Sequence, residues 1–283
     1  MTAVSAFSAS RRGTKKPGKY EPFRRFGMRS SIVRGHDHAR ALAQIMRTGW
    51  FRQVHVKSRQ SRRWRSLLVA RRSVLNHMRS IENMVRAITR EDAIKLGTPS
   101  RKDFAARVRE MAGGEPERMA MLEPLLAVLA SMIEEFARLT KRVLDIVKHE
   151  TTCRQLMTSP GIGPINALTY RATIDRPERF ARSRDVGAHL GLTPSRYQSG
   201  ETDIVGGISR RGDELARTAL VEAAHTLLVR SRKWSALRAW GLAIAERRGM
   251  AKAKIAVARK LAVILHRMWI DGTDFRFGKE ALA

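Results

Sequence analysis

The sequence predicts a mainly α-helical protein, in which a long antiparallel helical arm precedes a compact helical domain containing a helix-hairpin-helix-like motif. Three observations carry that expectation. Two long stretches repeat apolar residues at heptad-like spacing, Gly and Pro clusters interrupt them at two places, and a PGIG segment opens a region of shorter helical patterns. Short strands could occur around Thr193 to Ile208.

Residues 1–34 mix Ser, Gly, Pro, Lys and Arg without apolar periodicity and are expected to form a basic, disordered arm. The stretch lacks the apolar run and cleavage pattern of a secretory signal. From His38 to Trp50 the pattern HARALAQIMRTGW suits a short helix. Between Ser61 and Lys95, the residues Leu67, Val74, Met78, Ile81, Val85 and Ile88 recur at intervals of three, four and seven, which makes one seam of a long helix.

Gly97, Thr98 and Pro99 break that helix. SRKDFAARVREM then reads as a shorter one, starting on a serine cap at Ser100 with Asp103 in its first turn, and Gly113-Gly114 ends it. From Pro116 to Glu150, Leu122, Leu125, Leu129, Met132, Phe136, Leu139, Val143 and Ile146 form a second stripe. Two such helices joined by a compact break should pack antiparallel, and residues 35–150 are therefore expected to be an arm or linker that also brings copies of the chain together. The remainder, 151–283, is expected to be the C-terminal functional domain.

Composition narrows the function. The 283 residues carry 55 Lys plus Arg against 26 Asp plus Glu, a formal charge of +29, far more than solubility needs. DNA, RNA and an anionic membrane surface all suit such a field. No run approaches the roughly 18 apolar residues of a membrane span, so nucleic acid leads, with a merely basic protein as the bland alternative. A single cysteine, Cys153, excludes an internal disulfide framework and a cysteine zinc site and fits a reducing cytoplasm, with the nucleoid as the expected location.

At Leu156 the text becomes LMTSPGIGPINALTYRATI, with Pro160, Gly161 and Gly163 ahead of a helix that opens near Pro164. Two readings stand. Gly161 and Gly163 could permit a hairpin whose amides at the next helix start seat a DNA phosphate, or they could form a tight turn between packed helices. Further on, GGISRRGDELART reads as a glycine loop feeding a helix from about Asp213, with Leu215, Ala219, Leu220, Ala223 and Leu227 facing a core and Arg217 in its first turns. Two more helices separated at Gly249 follow, with Trp234, Trp240, Leu261, Leu265 and Trp269 as expected packing anchors; stacking on bases is the other use of such tryptophans.

The order PGIG, then Arg179-Phe180, then GLTPS, QSG and GGISRRGDELART resembles the C-terminal domain of the transposases of the insertion sequence 110 family, most closely over residues 153–230. That resemblance implies an N-terminal RuvC-like domain with four metal-binding acidic residues, a helical linker, and a C-terminal domain supplying a serine nucleophile. On the matching text the serine is Ser199 of QSG. It also implies DNA as substrate, an element-encoded guide RNA as partner, and a divalent metal such as magnesium in the full-length enzyme. Arg196, Arg210 and Arg211 are the nearest candidates for neutralising phosphate charge.

The sequence departs from the family pattern at its start. Gly35 and His38 stand where a D-x-x-D-A-R pattern would place aspartates before Ala39-Arg40, and Asp37 is one position out of step. One displaced carboxylate is no site for a hard cation, and the His36-Asp37-His38 run is too contiguous to converge on a metal, so no metal site is expected. The expectation is a truncated transposase, deficient on its own. A non-enzymatic DNA-binding or oligomerising derivative is the alternative, and a generic helix-hairpin-helix repair accessory would leave QSG and GGISRRGD unexplained.

Overall fold

A computed structural model of the chain describes residues 35–50 and 54–278. The basic stretch 1–34 lies outside the described residues, as do the side chains of residues 35–38. The described chain falls into two units, one ending at Val54 and one beginning at His55. In the first, helix α1 (Gly35–Thr48) ends where the Thr48 hydroxyl donates back to the carbonyls of Gln44 and Ile45. Leu42, Met46 and Trp50 are exposed on it.

The second unit is mainly α-helical, with one two-stranded sheet among the described residues. Helix α2 (Arg59–Glu91) starts on Ser58, whose hydroxyl accepts the Ser61 amide, a cap that supplies one of the free amides of a helix start. Helix α4 (Pro116–His149) runs back along it. The pairing is antiparallel: Arg71 of α2 donates to Thr140, while Arg118 of α4 pairs with Asp92 just beyond the far end of α2. Both expected stripes are realised. Met78 and Val85 are fully buried against Leu122 and Leu129, with Val74, Ile81, Ile88, Leu125, Met132 and Phe136 packed around them.

Two departures have plain causes. Leu126 and Val147 are buried although they lie beside the expected stripe, because α4 meets a different surface at each end. Helix α3 (Phe104–Ala112) starts later than expected, with Asp103 at its cap position and held by the Ser100 hydroxyl. Phe104, Val108 and Ala112 then close the arm's tip over a small core of their own. Residues this deeply buried contribute about 1.5–3 kcal/mol each, so the tip does not depend on the distant core.

At its base the arm joins the main core. Trp64, Leu68, Val143 and Val147 belong to the same buried cluster as the C-terminal helices. At the centre lies α6 (Pro164–Ile174), whose residues from Ala167 to Tyr170 and from Ala172 to Ile174 are buried, with the Tyr170 hydroxyl donating to the Ala262 carbonyl. Around it are α5 (Thr151–Leu156), α7 (Asp185–His189), α8 (Glu214–His225), α9 (Ala236–Arg248) and α10 (Met250–Asp271). Helix α8 starts on Asp213, as expected, and ends in a wider π turn, Thr226–Arg230. Gly249 separates α9 from α10.

Leu261 and Leu265 are core residues, and Trp240 and Trp269 pack against the core. Trp234 is a correction: it is 58% exposed, because it sits in the irregular stretch before α9 rather than on a helical stripe. No helix among the described residues is long and apolar enough to cross a membrane.

The turn into α6 explains one of its two glycines sterically. Gly161 has φ +88°, and a Cβ there would lie 2.4 Å from the Ala223 carbonyl oxygen of α8. Gly163, at the cap of α6, has open space around it. Gly161→Ala is therefore expected to lower stability by about 2–4 kcal/mol, and Gly163→Ala by about 1 kcal/mol or less, measured by denaturant titration. Equal losses would remove the packing role assigned to Gly161.

Phe180 lies edge-on between two imidazoles, His189 at 5.2 Å and His266 at 5.5 Å between ring centroids. His266 is fully buried, bonded through Nε2 to the Pro177 carbonyl and through Nδ1 to the Ser183 hydroxyl. Burial pulls its pKa below the ordinary histidine value, although the Pro177 carbonyl opposes this. Burial also lowers His189, helped by the charges of Arg179 and Lys57. Below about pH 6.5 the unfolded chain binds protons that these folded imidazoles refuse, so their contribution is complete above that pH and declines as acid is added. The melting temperature should fall between pH 7.5 and 5.5, and less steeply in His266→Gln; parallel curves would show that His266 is not responsible.

Candidate nucleic-acid interface

The most exposed structure in the second unit is the ribbon of β1 (Pro194–Ser199) and β2 (Thr202–Ile208), which pair antiparallel. Gly200 and Glu201 form its two-residue turn. Gly200 has φ +54°, the positive value at the first central position that a tight primed hairpin turn takes from glycine. Ser199, the last residue of β1, thus stands at the tip, opposite Thr202. Tyr197 and Ile204 are the next pair along that face, 49% and 59% exposed, so the serine lies beside an uncovered apolar platform.

The foot of the ribbon is built by two close backbone crossings. A Cβ on Gly191 would lie 2.0 Å from the Arg211 carbonyl oxygen, and one on Gly212 would lie 2.0 Å from that of His189; both glycines have positive φ. Arg217 ties the crossing down by donating to the carbonyls of Leu190 and Arg210. The glycines of GLTPS and RRGD are thus the means by which two strands leave the helical body side by side.

The candidate residues are distributed along this ribbon. Arg196 is three residues from Ser199, but its guanidinium forks onto Asp203 across the strands, at 2.7 and 2.5 Å, and these hydrogen bonds hold the Asp203 carboxyl below the usual range. Arg210 and Arg211 are exposed and lie at the foot. Eight residues separate Thr202 from Arg210, which at extended spacing places Arg210 about 25 Å from the tip. Ser199 and Arg196 thus share a strand but stand on opposite faces of the ribbon, and Arg210 and Arg211 lie at its foot, so none of the three arginines is brought to the serine within one chain. Gly161 faces α8, and Gly163 alone keeps an unobstructed approach to the start of α6.

A polar cluster near the foot had no signature in the sequence. Asp175, at the end of α6 with φ +65°, is 4% exposed. It receives the Ser58 hydroxyl at 2.6 Å and the Ser58 amide at 2.9 Å, and lies 2.7 Å from His55 Nε2. Burial alone would raise its pKa, but these hydrogen bonds outweigh burial and hold the carboxyl well below the usual carboxylate range. Asp213 caps α8 and accepts Arg65 at 2.8 Å. Lys57 lies among these charges, its pKa lowered by burial, with Asp213 opposing and Arg65 and Arg179 adding to the effect. Arg179 also contacts His189 Nε2 at 3.2 Å. The cluster fastens the segment before α2 to the end of α6, more than a hundred residues away, a separation that no local pattern reveals.

Other nucleophile chemistry finds little support here. Cys153 is buried, and burial pushes its thiol up to about 12. No three His, Cys, Asp or Glu side chains come together among the described residues, so they assemble no donor set for a hard divalent ion.

Residues 153–239, which include the turn into α6, the ribbon and α8, match the family model described as Transposase IS116/IS110/IS902 family. The chain is 26% identical to the transposase for insertion sequence element IS1111A of Coxiella burnetii over 245 residues, covering 85% of this chain and 67% of that protein. It is 26% identical to a probable family 20 transposase of Pseudomonas aeruginosa over 256 residues, 87% of this chain and 76% of that one. With the transposase for insertion sequence element IS1328 of Yersinia enterocolitica it shares 34% identity over 168 residues, 56% of this chain and 50% of that protein. The chain thus spans between half and about three quarters of the length of these relatives.

Proposed function

The chain belongs to the IS116/IS110/IS902 transposase family, and from that membership we propose that it acts on DNA in transposition, with Ser199 as the nucleophile. The observation that carries the reading is the placement of Ser199. A hydroxyl that must meet a phosphodiester inside a bulky duplex needs an exposed, narrow support, and the tip of a two-stranded ribbon is one. The major groove of B-form DNA admits such a ribbon.

In the proposed step, the Ser199 oxygen attacks the phosphorus in line with the scissile bond. The Ser–O–P bond forms as the bond from phosphorus to the leaving ribose oxygen breaks. The serine proton passes to solvent or an adjacent base, and the leaving oxygen takes up a proton to become a hydroxyl. Attack by that hydroxyl on a second phosphoserine link would rejoin strands. Charge on the phosphorus oxygens needs a cation, and Arg196, the basic residue closest to Ser199 along the ribbon, would have to reach it from the opposite face. For Arg196 to serve, its fork must exchange Asp203 for phosphate, a swap between two bidentate partners of similar shape.

The remaining assignments belong to the same proposal. Residues 151–283 would carry the reaction, and residues 35–150 would serve as spacer and self-association element, to which Val69, Met84, Met121, Val128 and Leu144 on the arm's exterior lend support. Gly163 would seat a backbone phosphate at the start of α6, in a helix-hairpin-helix manner. An element-encoded RNA would join the complex at the nucleoid. A second reading, a protein that binds DNA and assembles without cutting it, is favoured by the pairing of Arg196 with Asp203 and by the distance from Ser199 to Arg210 and Arg211.

The two readings separate in one assay. Purified chain incubated with element-end DNA, with and without the element's RNA, should give a protein–DNA adduct that survives denaturant. Ser199→Ala should abolish it while leaving the melting temperature unchanged, because Ser199 is exposed and packs on nothing. An adduct that persists in Ser199→Ala would transfer the chemistry to another residue, and no adduct from the unaltered chain would favour the binding reading.

A further inference from the structure

The arginines of α2 divide sharply by the direction they face. Those turned toward the rest of the unit are engaged: Arg65 with Asp213, Arg71 with Thr140 and the Phe136 ring, and Arg72 with Glu222 at 3.8 Å. Arg59, Arg62 and Arg63, at helical spacings of three and four, are exposed and form no ion pair with any described residue. With Arg142 of α4, which is equally exposed and unpaired, they line an open groove of about 880 Å³ at the base of the arm. Trp64 and Ile146 contribute apolar surface to it, and no Asp or Glu is among its lining residues.

Like charges three and four residues apart on a helix repel one another. A groove that concentrates four such guanidiniums without a counter-charge is electrostatically unsatisfied in the free chain, and a polyanion relieves it. At about 880 Å³ the groove is also much larger than a single small anion fills, and guanidinium forks match phosphate oxygens two at a time. We propose that this groove is a binding site for the phosphate backbone of duplex DNA, separate from the serine ribbon. The assignment to DNA rests on the transposition reading above, while the groove's charge does not depend on Ser199.

The prediction is a salt dependence that belongs to this groove. A chain carrying Arg59→Gln, Arg62→Gln, Arg63→Gln and Arg142→Gln together is compared with a charge-matched control carrying Arg107→Gln, Arg109→Gln, Arg138→Gln and Arg182→Gln. The control residues are exposed and already sit in ion pairs. Each phosphate contact contributes about 0.9 to the slope of log affinity against log salt for B-form DNA, so with one contact per arginine the groove variant should lose about 3.6 from that slope and bind a short duplex at least about tenfold more weakly at low salt. The control should keep the slope and most of the affinity. Because the groove arginines make no ion pair with any described residue and repel one another, the melting temperature should hold or rise rather than fall, and a version with Lys at the four positions should recover most of the slope.

Equal losses in groove variant and control would reduce the effect to bulk charge and overturn the site. Unchanged binding in the groove variant would overturn it as well, as would loss confined to an RNA duplex of the same length. The readout is binding, so it is independent of the adduct assay. Loss of binding with no adduct from the unaltered chain sinks the serine reading alone, and an intact Ser199 adduct with unaltered groove binding sinks this one alone.

Discussion

Helix α6 can occupy the centre of the C-terminal body only because the chain entering it comes into backbone contact with α8. Gly161 makes that approach, with the space for a side chain taken by the Ala223 carbonyl. Once α6 is there, its buried residues meet α2, α4 and α8 at once, so the base of the arm, the start of the C-terminal region and the helix after the ribbon share one core. The far end of α6 then determines where the chain before α2 is anchored. Asp175 ends the helix at a positive φ and collects the Ser58 and His55 contacts that hold that segment. A single crowded turn thus positions both the arm and the platform from which the ribbon projects.

What was legible in the sequence follows the range of the interaction. The two arm helices announce themselves because each residue's burial repeats with the helix itself, and Met78, Val85, Leu122 and Leu129 end where the spacing puts them. The short strands around Thr193 to Ile208 were legible only in outline, with Gly200 beside Ser199 marking the exposed turn, because neither strand has a buried face. Trp234 was misleading because its neighbours resemble a helix that begins only at Ala236. The Asp175 and Asp213 clusters were not legible at all. Ser58 and Asp175 are 117 residues apart, and nothing in either neighbourhood marks a pairing that exists only after α6 and α2 have packed.

Charge follows the same geometry. With twice as many basic as acidic residues, the chain cannot pair its arginines evenly, and the fold decides which are left over. Carboxylates collect where helices meet: Glu82 takes Arg101, Asp92 takes Arg118, Glu150 takes Arg171, and Asp213 takes Arg65. These pairs join elements that hydrophobic packing has already brought together. The excess is displaced to surfaces facing away from the core, the base of the arm and the foot of the ribbon among them. An overall charge that by itself suggested only an affinity for polyanions is thereby resolved into places.

Those places lie on either side of a steric fact about the ribbon. Gly191 and Gly212 let its strands start in contact, and from there nothing packs against them until the Gly200 turn. A two-stranded ribbon without a covered face is marginally stable alone. Its conformation near Ser199 therefore depends on the Arg196–Asp203 fork, the one ionic tie between its strands among the described residues, and on whatever comes to lie against Tyr197 and Ile204. A backbone phosphate that drew Arg196 away from Asp203 would loosen the ribbon where the apolar pair would have to hold it. Arg196 and Tyr197 are adjacent on β1 and face opposite sides of the ribbon, so a duplex would have to reach both sides of it to meet both.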